Sequence, residues 1–496
     1  MLRDEKVPFN KLNGHINIVS HQLLHHCVFM RRSGQITPPL LLAIRNNSAN
    51  LHEEVQQMIA QDDGLDHIAG GEGPALKLAS YNGRFDVVKL LLNAGAAECQ
   101  LQWTDVMQEV AFGTTASLKQ KIEETGDLEA ADFLSRTTFL IAALLGDIEK
   151  ARLLLKLGAN REAVGFGGRN ATQYAVQTNQ IPMLTWLLDE GFSIEATDNH
   201  LNTPLILAAE LGLTDCVKFL LERGADVSKG NHIPYRAIRV AKNLDIVDLL
   251  VACGDDINDI SPKMHANLLR IKHNASPVVS KDDYLNGRYR EFGTANAIKT
   301  NKPFWLAMIR SGASAWCANE MFHDDGSHDG NIIWCYDRHG RTTTVLPDGR
   351  IIEIGGEHED FYDPDFCIYN DVSVFKKNGD ITIYSYAPEI FPPTDFHTAT
   401  LVGEDIYIIG RLGYPKTRIA GFTPVYKLDT ESLKISQFDT TGDGPGFISE
   451  HRARLKDDKI FVSGGKQIVT IDGKADYIDN TENYQLCLKT AVWSVA

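Results

Sequence analysis

The chain has 496 residues, 43% of them apolar and 23% charged, so it is long enough to form more than one folded domain. Its formal net charge of −16 argues against nucleic acid and anionic membranes as partners, because either would repel it. Eight cysteines without a CxxC pair exclude a disulfide framework or a zinc ribbon, and no apolar run is long enough for a membrane span. We therefore expect a cytoplasmic protein with reduced thiols and with neither a cofactor nor a bound metal.

The N-terminal residues 1–35 are predicted to form a helical cap. The run HQLLHHC at 21–27 places His21 and His25 one helical turn apart, a spacing that can chelate zinc. The glutamate of an HExxH motif is missing between them, so a helix face is the preferred interpretation.

A repeat of 30–33 residues follows through the first half of the chain. It is marked by glycines that come after leucine-rich runs: Gly64, Gly95, Gly126, Gly158, Gly191, Gly224 and Gly254. A fixed period of this length is typical of stacked supersecondary units, each of which buries its apolar face against its neighbours.

The clearest unit is DNHLNTPLILAAELGLTDCVKFLLERGADVS, residues 198–228. Thr203 can cap a helix whose first turn accepts Pro204, because the N–H that proline lacks would be unsatisfied there anyway. Gly212 suits the end of that helix, since it tolerates a left-handed backbone. A second helix over 214–222 then presents an apolar stripe.

This unit resembles the ankyrin repeat, with TPLILAAELG in place of the family's TPLHxAAxxG and Ile206 in place of its histidine. The resemblance covers residues 36–260, about seven units, and implies an α-solenoid with hairpin loops along one side. The polar residues of one such loop are the first candidate partner-binding residues: Asp198, Asn199, His200 and Asn202.

A longer repeat occupies the end of the chain. The segments LPDGRIIEIG (346–355), LVGEDIYIIG (401–410) and LKDDKIFVSG (455–464) align without gaps, 55 and 54 residues apart. Each is predicted to be a strand, a tight turn and an apolar strand, and further strands follow. About four strands per unit is typical of a propeller blade.

The pattern is similar to kelch repeats: DFHTATLVGEDIYIIG resembles their opening strands, VYKLD their third strand, and glycine pairs stand at 355–356 and 464–465. Gly410-Arg411 departs from that pattern. The fold class that follows is α + β multidomain, with an N-terminal ankyrin α-solenoid and an all-β kelch-like domain of at least three four-stranded blades at 338–496.

Residues 261–337 are predicted to hold a capping helix and a linker, with two short helices at 302–321. Propellers usually need four or more blades to close, and three are visible. Two alternatives stay open: a divergent blade within 280–337, or closure through a homodimer of the C-terminal β domain.

The stretch GGEHEDFYDPDFCIYND (355–371) is predicted to end one strand, form an acidic loop over 357–369 and begin the next strand. Acidic loops favour a basic partner surface. The second set of candidate partner-binding residues lies here: Glu357, His358, Glu359, Asp360, Tyr362, Asp363 and Asp365.

The resemblances imply a non-catalytic scaffold or adaptor that binds partner proteins through the ankyrin groove and the kelch-like loops. The alternative is a carbohydrate-binding or sugar-acting module in the C-terminal β domain. Its acids would come from 357–360, since carboxylate pairs suit acid–base chemistry, and Phe361, Tyr362 and Tyr369 would supply its aromatic residues.

Overall fold

The computed structural model describes residues 39–48, 50–60, 74–233, 235–272, 275–324, 331–358, 366–471 and 474–496. The predicted N-terminal cap at 1–35 therefore lies outside the described residues. The chain divides into two compact units, Met1–Asp255 and Asp256–Ala496.

Fourteen helices, arranged as seven consecutive pairs, are described in the first unit. The helices α1 to α14 are Pro39–Asn46, Leu51–Ala60, Pro74–Tyr81, Phe85–Asn93, Asp105–Phe112, Thr115–Thr125, Thr138–Leu145, Ile148–Lys156, Ala171–Gln177, Ile181–Asp189, Pro204–Leu211, Thr214–Glu222, Ala237–Val240 and Leu244–Ala252.

The unit at 198–228 forms as its sequence indicates. Thr203 Oγ1 accepts a hydrogen bond from the N–H of Ile206 at 3.3 Å and so caps α11, which has Pro204 in its first turn. Gly212 ends this helix at φ 78°, a left-handed conformation that costs glycine little. Ala208 is fully buried, and its small side chain lets neighbouring helices approach closely.

The second unit begins with four helices, α15 to α18: Pro262–Leu269, Lys281–Gly287, Pro303–Ser311 and Ala315–Phe322. The predictions of a helix after residue 261 and of two short helices at 302–321 are confirmed. The strands β1 to β19 are Ile298–Lys299, Thr342–Val345, Ile351–Ile354, Glu357–His358, Cys367–Ile368, Val372–Phe375, Ile381–Ser385, Thr398–Val402, Asp405–Ile409, Val425–Asp429, Ile435–Gln437, Thr441–Gly442, Phe447–Ser449, Arg452–Lys456, Lys459–Ser463, Lys466–Ile471, Lys474–Asp479, Tyr484–Cys487 and Val492–Val495.

Three four-stranded antiparallel meanders form the body of this unit. Their strand orders are β2-β3-β6-β7 in the first sheet, β8-β9-β10-β11 in the second and β14-β15-β18-β19 in the third. The short strand β1 extends the first sheet and β12 extends the third. Between its second and third strands, the first sheet carries the hairpin β4-β5 and the third carries the hairpin β16-β17.

The layers of the second unit follow from the alternation of apolar side chains along each strand. The helices pack on one face of the first sheet through a core that includes Trp305 and Phe375. The opposite face of that sheet packs on the second sheet, where Ile352 and Ile406 share a core. The second sheet in turn packs on the third through Tyr407 and Val462.

The three four-stranded units predicted from the sequence are therefore present. Among the described residues, 280–337 contributes helices and β1 and no further four-stranded sheet. The described strands form several separate sheets and no closed barrel or propeller, so the propeller stays a prediction. None of the helices among the described residues has the length and apolar character needed to cross a bilayer.

Candidate protein-interaction surface

Four hairpin loops of the first unit recur every 33 residues, at 132–136, 165–169, 198–202 and 231–235. In each, the N–H of the first residue donates to the carbonyl of the fifth, at 2.8–3.2 Å. In the loops that begin with Asp132, Asp198 and Asn231, one side-chain oxygen also accepts two backbone N–H groups of the same loop. A short polar side chain at this position therefore holds the loop closed.

Neighbouring hairpins are joined by backbone hydrogen bonds. The N–H of Phe166 donates to the carbonyl of Leu134 at 2.7 Å, and the N–H of Asn199 donates to the carbonyl of Gly167 at 2.8 Å. The N–H of His232 donates to the carbonyl of His200 at 3.1 Å. The hairpin tips consequently form one continuous row, which we call the hairpin row (132–136, 165–169, 198–202 and 231–235).

The four residues predicted at the fingertip divide into two kinds. Asp198 and Asn202 are buried: Asp198 bonds to the backbone and side chain of Asn202, whose amide oxygen accepts from Asn231 Nδ2 at 3.0 Å. Asn199 is exposed and His200 is half-buried, with its ring 5.4 Å from that of His232. The first two side chains hold the loop, and the other two are accessible, so partner binding by Asn199 and His200 stays a prediction.

Exposed apolar side chains lie in and beside the hairpin row, and the sequence predicted only the polar residues there. Leu201 is 50% exposed at the tip of its loop, Phe166 is 38% exposed, and Val164, next to that loop, is 53% exposed. The available sequence signal was an apolar residue inside a segment that is otherwise a polar turn.

A buried ion pair braces the first hairpin of the row. Arg136 is fully buried; its Nε donates to Asp132 Oδ2 at 2.8 Å and its Nη1 donates to the carbonyl of Ser80 at 2.9 Å. Since both charged groups are satisfied, this pair ties the hairpin to helix α3, two helix pairs earlier in the chain.

The second predicted site is described only in part. Glu357 and His358 form β4, which pairs with β5, and His358 is buried with Nδ1 2.7 Å from the carbonyl oxygen of Asp337. The other candidates lie outside the described residues: Glu359, Asp360, Tyr362, Asp363 and Asp365. Partner binding at this segment stays a prediction.

Tyr369, an aromatic residue of the sugar-binding alternative, is 1% exposed and packs inside the second unit. Its ring lies 3.4 Å from the guanidinium carbon of Arg338, and its hydroxyl oxygen accepts from the N–H of Cys335 at 3.0 Å. Burial raises the pKa of the phenol well above its usual value. This ring is therefore not accessible for stacking on a sugar.

Arg338 and the neighbouring Trp334 are also structural. Arg338 donates to Asp371 Oδ2 at 3.0 Å, and Trp334 Nε1 donates to the same oxygen at 2.9 Å. The indole of Trp334 stacks on Trp305 of α17 with centroids 4.9 Å apart. The segment WCYDRHGR (334–341) thus joins the first sheet to the helices that cover it.

A second buried polar cluster connects α15 to the first sheet through Glu353. Its carboxylate accepts from Tyr336 Oη at 2.6 Å, contacts His265, and lies 3.8 Å from Arg341 Nε. Burial alone would raise the pKa of Glu353, but the charges of Arg341 and His265 and the hydrogen bonds of His265 and Tyr336 lower it to about 2. The carboxylate stays ionised and holds a helix to a strand.

Within the described parts of the chain, no three or more His, Cys, Asp or Glu side chains are grouped so that they could hold a metal ion. The two buried clusters of the second unit have internal partners and leave a cavity of only about 10 Å³ between them.

The accessible features of the first unit are those of a contact surface, with apolar and hydrogen-bonding side chains along the hairpin row.

Comparison with known proteins bears on the first unit. Residues 139–231 and 196–261 match the family model described as ankyrin repeats in three copies. The first half of the chain contains ankyrin repeats. The family match ends at residue 261 and does not show the kelch-like resemblance of the C-terminal half.

Curated relatives agree with the ankyrin match. The B-cell lymphoma 3 protein homolog of Mus musculus is 26% identical over 222 residues, which is 43% of this chain and 50% of that protein. An ankyrin repeat and KH domain-containing protein of Caenorhabditis briggsae is 32% identical over 188 residues, 37% of this chain and 7% of that protein. The B-cell lymphoma 3 protein of Homo sapiens is 27% identical over 222 residues, 43% of this chain and 49% of that protein. The chain spans half or less of the length of these relatives.

Proposed function

We propose that this protein is a non-catalytic adaptor that binds partner proteins through its ankyrin repeats. The observation that carries the proposal is the hairpin row, in which backbone hydrogen bonds connect consecutive loops and exposed apolar side chains stand at or beside the tips. A surface that is already ordered loses less conformational entropy on binding. Apolar side chains that stay exposed on such a surface favour contact with another protein.

The test is quantitative capture of interacting proteins by the tagged full-length chain, followed by titration of each captured protein in purified form. The hairpin variant carries Val164→Thr, Phe166→Ser and Leu201→Ser. The control variant loses three exposed apolar side chains of the second unit, through Val278→Thr, Leu285→Ser and Ile419→Ser.

We expect at least one directly binding protein whose Kd rises tenfold or more with the hairpin variant and less than twofold with the control. Thermal unfolding of both variants checks that they remain folded. The proposal is overturned if every direct binder has the same Kd for the hairpin variant and the wild type, or if no captured protein binds directly.

Finer points of the proposal concern the second unit. Kelch-like loops would add a second surface, and the acidic segment 357–365 would select a basic partner through its charge. A homodimer through the C-terminal β domain is proposed as well, and a strictly monomeric sedimentation profile would exclude it. A cytoplasmic location is supported by the seven described cysteines, all of which are free thiols.

A further inference from the structure

The outward face of the third sheet differs in chemistry from the matching face of the second sheet. The first two strands of both sheets have the same register, so their residues correspond one to one. In the second sheet the positions on this face are Thr398, Thr400, Val402, Asp405, Tyr407 and Ile409. Of these, Val402, Tyr407 and Ile409 belong to the core shared with the third sheet. The corresponding positions of the third sheet are Arg452, Arg454, Lys456, Lys459, Phe461 and Ser463.

No described residue covers this face. A Cβ added at Gly355 of the first sheet would lie 2.1 Å from the carbonyl oxygen of Thr394, and one at Gly410 of the second would lie 2.3 Å from that of Ile448. At the equivalent Gly464 of the third sheet, no atom lies within 4 Å of an added Cβ. The first two sheets are thus each met at this glycine by a later segment of the chain, whereas no described atom approaches the third sheet there.

The open face carries charge of one sign. Arg452, Arg454 and Lys456 are exposed on β14 and Lys459 stands beside them on β15, whereas the described outward positions of β14, β15, β18 and β19 hold no Asp or Glu. A solvated face of a soluble protein normally mixes both signs, so four cations without an acid on a chain of net charge −16 favour an acidic ligand.

Two of these cations have weak internal partners. Arg452 lies 3.8 Å from Asp259, both being largely exposed, and Lys459 Nζ donates to Gln485 Oε1 at 3.1 Å. Within the described chain, Arg454 and Lys456 have no ion-pair partner. The charge of the face is therefore mostly uncompensated.

The spacing of the cations fits an extended chain. Alternate residues of a strand are about 6.8 Å apart on one face, so Arg452, Arg454 and Lys456 match carboxylates at every second residue of an extended peptide. Phe461 stands directly opposite Arg454 in the register. Both line a cavity of about 270 Å³, together with Arg452, Ser463, Asn483 and Ala496, which has room for one apolar side chain.

We propose that the outward face of the third sheet binds an extended acidic segment of a partner protein, with alternate carboxylates along β14 and an apolar side chain beside Phe461. A second copy of this chain is a poorer occupant, because face-to-face pairing of two such sheets would bring cations against cations. Nucleic acid is a poorer occupant because of the chain's overall negative charge. This surface lies outside the hairpin row, so it is a function additional to the proposed one.

The experiment uses the full-length chain and a fluorescein-labelled twelve-residue peptide in which glutamate alternates with serine, with one central serine replaced by phenylalanine. Binding is followed by fluorescence anisotropy at 50 mM and 200 mM salt. The sheet variant carries Arg452→Glu, Arg454→Glu and Lys456→Glu. The control variant makes the same change of net charge elsewhere in the unit, through Lys376→Glu, Lys377→Glu and Lys434→Glu, all exposed.

We expect the sheet variant to raise the Kd of the peptide at least tenfold, the control variant to change it less than threefold, and salt to weaken binding to the wild type. Phe461→Ser should weaken binding of this peptide. It should leave unchanged the Kd of an analogue that keeps the alternating glutamates and has serine in place of the central phenylalanine. The hairpin variant should bind the peptide as the wild type does, which separates this proposal from the adaptor proposal.

Three outcomes would overturn the proposal. One is an equal loss of affinity in the sheet and control variants, which would mean non-specific attraction. Another is a twelve-nucleotide oligothymidine that binds as tightly as the peptide. The last is a wild-type dimer that the sheet variant dissociates, which would make the occupant a second copy. Unchanged thermal unfolding of the sheet variant verifies that its fold is intact.

Discussion

Thr342 Oγ1 lies 2.7 Å from Nε2 of His397, and a similar contact recurs one repeat later between Thr398 and His451 at 2.9 Å. In each pair, a threonine on the first strand of one sheet contacts the histidine directly before the first strand of the next sheet. The first strands of the three sheets lie beside one another in chain order. The two histidines, which hold equivalent positions in consecutive repeats, therefore connect consecutive sheets.

Both histidines make the stability of the second unit depend on pH. Burial lowers the pKa of His397 and of His451 to about 3, whereas an unfolded histidine titrates near 6.5. The folded state binds fewer protons, so stability is complete above about pH 6.5 and decreases as the pH falls toward 3. Urea unfolding followed by tryptophan fluorescence should show a loss of roughly 1–2 kcal/mol per histidine between pH 7.5 and 5.

The matched comparison is a His397→Gln/His451→Gln variant against His52→Gln, which changes a half-buried histidine of the first unit. The double variant should have a flatter pH dependence over this window, and the His52 variant should follow the wild type. Identical slopes in all three proteins would show that the buried imidazoles are not the titrating groups.

Glu353→Gln should destabilise the second unit by roughly 3 kcal/mol, because Arg341 would keep a buried charge without its counter-ion. The comparison is Glu431→Gln, which breaks an exposed pair with Arg350 and should cost less than about 1 kcal/mol. Urea unfolding at pH 7.5 measures both. A cost at Glu353 no larger than that at Glu431 would contradict the bracing role of the cluster.

Gly410→Ala should cost roughly 3 kcal/mol, since the new Cβ would meet the carbonyl of Ile448 at 2.3 Å and φ is +71°. Gly464→Ala has a similar φ of +61° but meets nothing within 4 Å, so only the backbone strain of about 1 kcal/mol remains. Equal unfolding midpoints for the two variants would show that the third sheet is covered in solution.

Asp132→Ala should destabilise the ankyrin unit by roughly 3–5 kcal/mol, because it leaves the fully buried Arg136 unpaired. Asp189→Ala removes the partner of Arg223 in a pair that is largely exposed, and it should cost less than about 1 kcal/mol. Thermal unfolding followed by far-ultraviolet circular dichroism compares them. Similar shifts in Tm would rule out the buried pair as a brace of the hairpin row.

The repeats could be predicted because their signals are local. A cap such as Thr203 and a helix-ending glycine such as Gly212 act within a few residues of one another, so the helix pairs follow from short stretches of sequence. The three strand–turn–strand segments are equally local. The meanders they begin were predicted for the same reason.

The functional features depend on contacts between distant residues, which a single sequence does not reveal. Asp198 has the polarity of a surface residue, yet its bonds to Asn202 bury it. Arg338 belongs to a segment with no recognisable motif, and its partner Asp371 lies 33 residues away. Lys459 joins the alternating cations of β14 on one face only because β14 pairs with β15.

The contact between His265 and Glu353 joins residues that are 88 positions apart in the chain. Closing so long a loop costs entropy before the contact contributes any stability, and contacts of this range slow folding. Helix α15 therefore gains this anchor only after the first sheet has formed, although it is made first during synthesis. We expect α15 and the first sheet to fold and unfold as one cooperative piece.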